Sequence, residues 1–215
     1  MMLCMKACRV HGAQGSRVRL WLAAVAIGLV GVAGCSSGSS GAPAAAPSAS
    51  PAPASAAPAP SVPLAAAYHS PDGYSLSPPD GWVLHPTDGQ NGVSVVFAAP
   101  ALDQAAKKPF VDNLNVVITP TPETLDALVG QTKQQYPSVL TNYKVVTDQP
   151  TTVNGHAAHL LGGTYDDPAA GPLQNIQLIL AEGGKEYTVT FTSAAPSFDA
   201  FHEPIQASLS TFTLG

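Results

Sequence analysis

His156 and His159 stand at the separation that lets a helix offer two histidines to one metal ion. They follow Asn154-Gly155, the favoured pair of a type I′ hairpin turn. On a strand, an odd separation sends the two rings to opposite faces. No cysteine or carboxylate lies beside them on that segment, so the expectation is two polar strand residues and no metal. Asp166-Asp167 offers carboxylate oxygens of the kind calcium takes. No Asp-x-Asp-x-Asp-Gly loop surrounds the pair, and solvated loop acids are expected. From residue 67 onward there is no Gly-x-Ser-x-Gly elbow, no cysteine nucleophile, no Gly-x-Gly-x-x-Gly and no P-loop. Gly162-Gly163 reads as a bulge and Gly183-Gly184 as a turn. No catalytic residue and no cofactor is expected. Trp82, after a Pro-Pro-Asp-Gly turn, either lines a ligand cleft or plugs the core, and burial of large aromatics favours the core.

One thiol does carry chemistry. Lys6, Arg9, Arg17 and Arg19 precede an apolar run at 20–33, which closes on Val32-Ala33-Gly34-Cys35. A basic start, a short apolar stretch and small residues describe a secretory signal. With the cut before a cysteine, the segment resembles a bacterial lipoprotein signal and its lipobox. The resemblance implies that residues 1–34 are removed and that Cys35 is acylated, by palmitate among other chains, as the mature N-terminus. The run is too short to span a membrane: about 21 Å as a helix at roughly 1.5 Å per residue, against a hydrocarbon core of ~30 Å. The expected location is the extracytoplasmic face of the cell membrane, held by lipid.

Beyond residue 34 the chain keeps five lysines, no arginine and all fourteen acids, a net charge of −9. Nucleic-acid binding needs a basic stripe to displace counterions, and none exists. Bidentate recognition of phosphate by arginine is excluded too. An acidic surface is repelled by anionic headgroups, so acyl chains and not a polybasic patch must hold the protein at the membrane. Cys4 and Cys8 lie in the leader, which leaves no disulfide for the folded part.

The elements that must position any site begin after a linker. Residues 36–61 are only Ser, Gly, Ala and Pro, without the apolar surface to offset the entropy of ordering. With Cys35, residues 35–66 are expected to be a disordered Ser/Ala/Pro tether and 67–215 one globular domain. Strands are expected at 74–76, 93–97, 113–119, 143–147, 153–161, 173–181 and 187–193. In the last, Tyr187, Val189 and Phe191 alternate with Thr188, Thr190 and Thr192, so one face is buried and one polar. Between them, Thr121-Pro122-Glu123 reads as a helix start. Leu125, Leu128, Val129, Thr132 and Tyr136 give the apolar stripe, and Pro137 the stop. A second helix is expected near Pro204, with Phe201, Ile205, Leu209 and Phe212 on one side.

The stretches Tyr74-Ser-Leu-Ser-Pro-Pro-Asp-Gly-Trp82, Phe110-Val-Asp-Asn-Leu-Asn-Val-Val117, Val153-Asn-Gly-His-Ala-Ala158 and Lys185-Glu-Tyr-Thr-Val-Thr-Phe191 follow that order of elements. In this the chain resembles the LpqN/LpqT family of mycobacterial lipoproteins. The resemblance implies a PsbP-like α+β fold: an α/β/α sandwich, a central antiparallel sheet with helices on its faces. It also implies an accessory or binding role in the cell envelope, with an envelope lipid or an MMPL-type transporter as partner, and it offers no catalytic motif. The expectation is a lipid-anchored binding module with its ligand held between the first helix and the sheet. Leu125, Leu128, Val129, Tyr136 and Trp82 are the candidate lining residues. The alternative is a hydrolase acting on envelope material.

Overall fold

The computed structural model describes residues 62–215 apart from Pro86 and Asp88. The expected leader, Cys35 and the 36–61 tether lie outside the described residues. Pairing starts just upstream of residue 67: the Ala65 N–H donates to the Pro78 carbonyl at 2.9 Å, and Asp80 to Pro63 at 3.3 Å.

The strands are β1 (Tyr68–Ser70), β2 (Tyr74–Leu76), β3 (Val83–His85), β4 (Val93–Ala98) and β5 (Asn113–Pro120). Helix α1 (Leu125–Val139) follows, then β6 (Thr141–Val153), β7 (His156–Asp167), β8 (Gly171–Glu182) and β9 (Lys185–Ala194). A 3₁₀ turn (Ala195–Phe201) leads into α2 (His202–Ser210), and β10 (Thr213–Leu214) ends the chain. The large sheet runs β3-β4-β5-β9-β8-β7-β6, and a small one runs β1-β2-β10. Every pairing is antiparallel.

Register explains the layers. Leu114, Phe191 and Ile176 lie opposite one another across β5, β9 and β8, as do Val116, Val189 and Leu178 in the next apolar row. These join Phe198, Ile205, Leu209 and Phe212 in the main core. The 3₁₀ turn and α2 therefore cover this face. On the other face α1 packs across β6, β7 and β8, with Val129 against Leu161 and Ile179. This is the expected α+β arrangement, helices on both faces of an antiparallel sheet.

Local chemistry moves several boundaries. Helix α1 starts later than the Thr121 cap predicts: Thr124 caps it, its hydroxyl accepting from the Ala127 N–H at 3.3 Å. Thr121 instead turns the chain, accepting from the Glu123 N–H and donating its own N–H to the Gly184 carbonyl at the hairpin tip. Pro137 does not stop the helix but lies inside its last turn. So near the end, only one intrahelical hydrogen bond is missing. The strand expected at 143–147 runs the length of β6, through Pro150. β6 is the sheet edge, where a residue without an N–H is tolerated.

Asn154 and Gly155 form the expected turn, with φ of 46° and 86°. The Asn154 amide also donates to the Phe212 and Ser210 carbonyls, at 2.7 and 3.2 Å, closing the end of α2. The bulge lies in β6, where the register slips between Val145 and Thr147, and not in Gly162-Gly163 opposite. Those glycines allow close approach. A Cβ on Gly163 would meet the Lys144 carbonyl and, at 2.7 Å, the Tyr143 ring.

Candidate functional site: the polar face of the sheet and the cleft at its end

One residue along each strand from the apolar rows, the chemistry inverts. Asn113, Thr192 and Asn175 form one cross-strand row, and Asn115, Thr190 and Gln177 the next. All but Thr190 are buried. Buried amides must be satisfied or they cost more than they contribute, and here they are tied locally. The Asn113 amide donates to the Val111 carbonyl, and the Asn115 amide to Asn113 Oδ1 at 3.4 Å. Asn175 Oδ1 accepts from the Gly163 N–H at 3.1 Å. The Tyr136 hydroxyl of α1 donates to Gln177 Oε1 at 2.7 Å. The Tyr143 ring stands edge-on to Tyr136, centroids 5.2 Å apart, and its buried hydroxyl has no hydrogen-bond partner. Burial pushes the Tyr143 and Tyr165 hydroxyls up to about 12 and that of Tyr136 further. All three are neutral hydrogen-bonding groups at pH 7.

Of the candidate lining residues, Leu128, Val129 and Tyr136 are only 2, 6 and 8% exposed, so α1 is seated on the sheet along that stripe. Leu125 borders a cleft of about 380 Å³ between the start of α1 and the β8–β9 turn, beside Glu123, Glu182 and Lys185. Sequence placed the stripe but missed the amide floor beneath it. The signal was there in Asn113-x-Asn115 and Asn175-x-Gln177, which alternate with apolar residues.

The histidines part as strand parity requires. His159 lies 2.8 Å from Asp148 Oδ1 of the neighbouring strand, and Lys133 of α1 pairs with the other oxygen. His156 lies 3.6 Å from Glu182. Hydrogen bonds from Lys133 first and then His159 hold the Asp148 carboxyl below its usual range. Among the described residues no group of three metal-ligating side chains converges. Asp166 accepts from Asn142, while Asp167 caps its own turn through the Ala169 and Ala170 N–H groups.

Trp82 packs against the core and also borders a cleft. It is half-buried on Phe191 and Phe201, centroids 6.0 and 6.1 Å away. It also lines a cleft of about 470 Å³, where the 99–112 loop meets the 3₁₀ turn. Two carboxyl groups lie in that lining, Asp103 and Asp112. Asp103 is the loop's anchor: it accepts from the Ala105 N–H at 2.8 Å, the Ser197 hydroxyl at 2.8 Å and the Ala194 N–H at 3.2 Å. Burial raises its pKa, but these bonds and one from Asp112 outweigh burial and hold it below the usual value. Asp112 is pushed up to about 7, by burial first and then by the charge and hydrogen bond of Asp103. No motif announced this pair, because the residues that shape it come from β9 and the turn beyond.

The DcrB family model matches residues 101–211, or 111 of the 215 residues. No curated protein matches the chain. Among solved structures, the cyanobacterial PsbP (CyanoP) of Synechocystis sp. PCC 6803 is similar at 18% identity and a TM-score of 0.53. That match covers 75% of this chain and 98% of that one. LpqN of Mycobacterium tuberculosis, involved in cell envelope biogenesis, is similar at 12% identity and a TM-score of 0.50, over 66% of this chain and 82% of that one. At such identities the likeness is one of fold, and the LpqN resemblance read from sequence extends that far.

Proposed function

The chain belongs to the DcrB family, and from that premise we propose a lipid-anchored binding or accessory domain of the cell envelope. Cys35 carries the acyl chains, and the tether extends the domain from the extracytoplasmic face of the membrane. Its ligand is an envelope lipid, held for itself or presented to a transporter of the MMPL type. The observation that carries the reading is the buried Tyr143 hydroxyl, which lacks a partner beside the hydrogen bond from Tyr136 of α1 to Gln177. The amides beside it are satisfied within the chain, whereas an unpaired buried hydroxyl costs stability, and a ligand headgroup would supply its partner. Val129, Leu161 and Ile179 are packed on one another alongside, so a tail would reach them only where α1 lifts from the sheet. Two facts fit. LpqN, of the same fold, is involved in cell envelope biogenesis. Among the described residues no helix is long and apolar enough to cross a membrane; in this reading the acyl chains on Cys35 hold the protein there.

Hydrolysis of envelope material gains no such support. The His159–Asp148 pair has Lys133 as its third member, and the Ser197–Asp103 pair is bonded to backbone N–H groups and another carboxyl. The test is to purify the protein from its own membranes, extract it with organic solvent and identify what is released by mass spectrometry. The wild type should yield a lipid that Gln177→Leu and Tyr143→Phe lose while still folding. An identical lipid profile for all three, or none in the wild type, overturns the reading. Cys35→Ala should move the protein out of the membrane fraction, and its retention there would refute the anchor.

A further inference from the structure

The cleft beneath Trp82 is independent of the α1 floor and of the anchor. Its walls are apolar and aromatic: Trp82 and Phe201 with Pro100, Leu102 and Pro196. Its polar groups are Ser197 and the two carboxyls. Asp103 is fully engaged by Ala105, Ser197 and Ala194, so it holds the loop and has little left to offer. Asp112 differs. The residue is only 3% exposed, and its buried Oδ1 has no hydrogen-bond partner. A buried acceptor without a donor is destabilising, so a partner at this point is favoured.

We propose that this cleft binds an organic cation, an ammonium group carried on an apolar body, with Asp112 accepting its N–H and Trp82 facing its positive charge. Three features select that class. The orphan atom is an acceptor, so the ligand must donate. The lining contains no cation, and the chain beyond residue 34 is strongly acidic, so a positive ligand is drawn in and an anion repelled. Indole is the best aromatic face for an ammonium within about 6 Å of its centroid. A hard divalent ion wants six or more oxygens, and the lining offers two carboxyls and one hydroxyl.

Binding should release a proton, because the cation favours the charged form of Asp112. Asp103 is the other titratable group in the lining. Already charged, it assists the cation and opposes ionisation of Asp112 in its absence. Lys107, on the same loop, lies against Gly171.

The experiment is calorimetric titration of the full-length chain in non-ionic detergent with phenethylammonium. The neutral probe 2-phenylethanol and calcium chloride serve as comparisons. Each titration is run at pH 8 and pH 5.5, in two buffers of different ionisation enthalpy. The expected result is saturable binding of the ammonium, at least tenfold weaker at pH 5.5, with buffer-dependent heat reporting proton release at pH near 7. Asp112→Asn and Trp82→Ala should each weaken it at least tenfold, and Asp112→Asn should abolish the proton release. Circular dichroism checks whether both variants fold. Trp82→Phe, which keeps an aromatic face, should recover part of the affinity if Trp82→Ala unfolds. Equal binding of the alcohol, affinity unchanged in Asp112→Asn, or displacement of the ammonium by calcium at Asp112 would each overturn the assignment. If no probe binds, the orphan oxygen holds only a water and the proposal fails.

Discussion

Strands β5, β9 and β8 present Leu114, Phe191 and Ile176 to one side and, one residue away, Asn113, Thr192 and Asn175 to the other. The backbone is shared and both sides are largely buried, yet the energetics differ. On the first side the rings interlock: Phe191 meets Trp82, Phe198 and Phe201 with centroids 5.5–6.0 Å apart. Removal of this surface from water is the main favourable contribution to folding. On the second side each amide exchanges a bond to water for a bond to a neighbour, with a net gain of about 0.5–1.5 kcal/mol at best. One face holds the fold together. The other is nearly neutral for stability, and in the proposed reading its placement serves recognition.

Four measurements would break or sharpen that contrast. The largest effect belongs to the apolar face. Phe191→Ala, at a fully buried position, should destabilise by about 3–5 kcal/mol, read from urea unfolding. A loss as small as that of an amide variant would mean the faces are equivalent.

The boundary between the faces should respond to pH. The folded pKa of Asp112, about 7, lies above its ordinary 3.8, so the folded state binds the extra proton in that window. Stability from this group is complete below 3.8 and is lost as pH rises through about 7. One proton gives a slope of at most about 1.4 kcal/mol per pH unit. Glu186, also raised by burial, adds the same sign just above its usual range. Asp103 and Asp148, both lowered, act oppositely and only at the acid end. Asp112→Asn should flatten the slope between pH 5 and 7 in chemical denaturation, and an unchanged slope would remove Asp112 as its source.

Next comes Gly163→Ala. Its Cβ clashes with both the Tyr143 ring and the Lys144 carbonyl, at about 1–3 kcal/mol. A melting curve identical to wild type would show that Tyr143 is not held against the sheet.

The smallest effect should come from the polar face. Tyr136→Phe removes one hydroxyl from Gln177 and should cost about 0.5–1.5 kcal/mol while sharply reducing lipid retention. A Tyr136→Phe loss rivalling Phe191→Ala would contradict the division of labour.

The sequence by itself determined what depends on neighbours along the chain. Alternation in Tyr187, Val189 and Phe191 against Thr188, Thr190 and Thr192 announced a two-faced strand. Asn154-Gly155 announced a turn that only positive φ allows, and the 3–4 spacing from Leu125 to Tyr136 announced α1. The tertiary structure decided what depends on partners across the sheet. Pro150 is admitted to β6 only because that strand is an edge, and Gly162-Gly163 proved to be a place of close approach because β8 presses on Gly162 and the bulged β6 on Gly163. Asp103 and Asp112 became a pair because Ala194 and Ser197, more than 80 residues further along, close over the loop that carries them. Periodicity is written in adjacent residues. Register, sheet order and the burial that raises a carboxyl's pKa arise only when distant segments exclude water together.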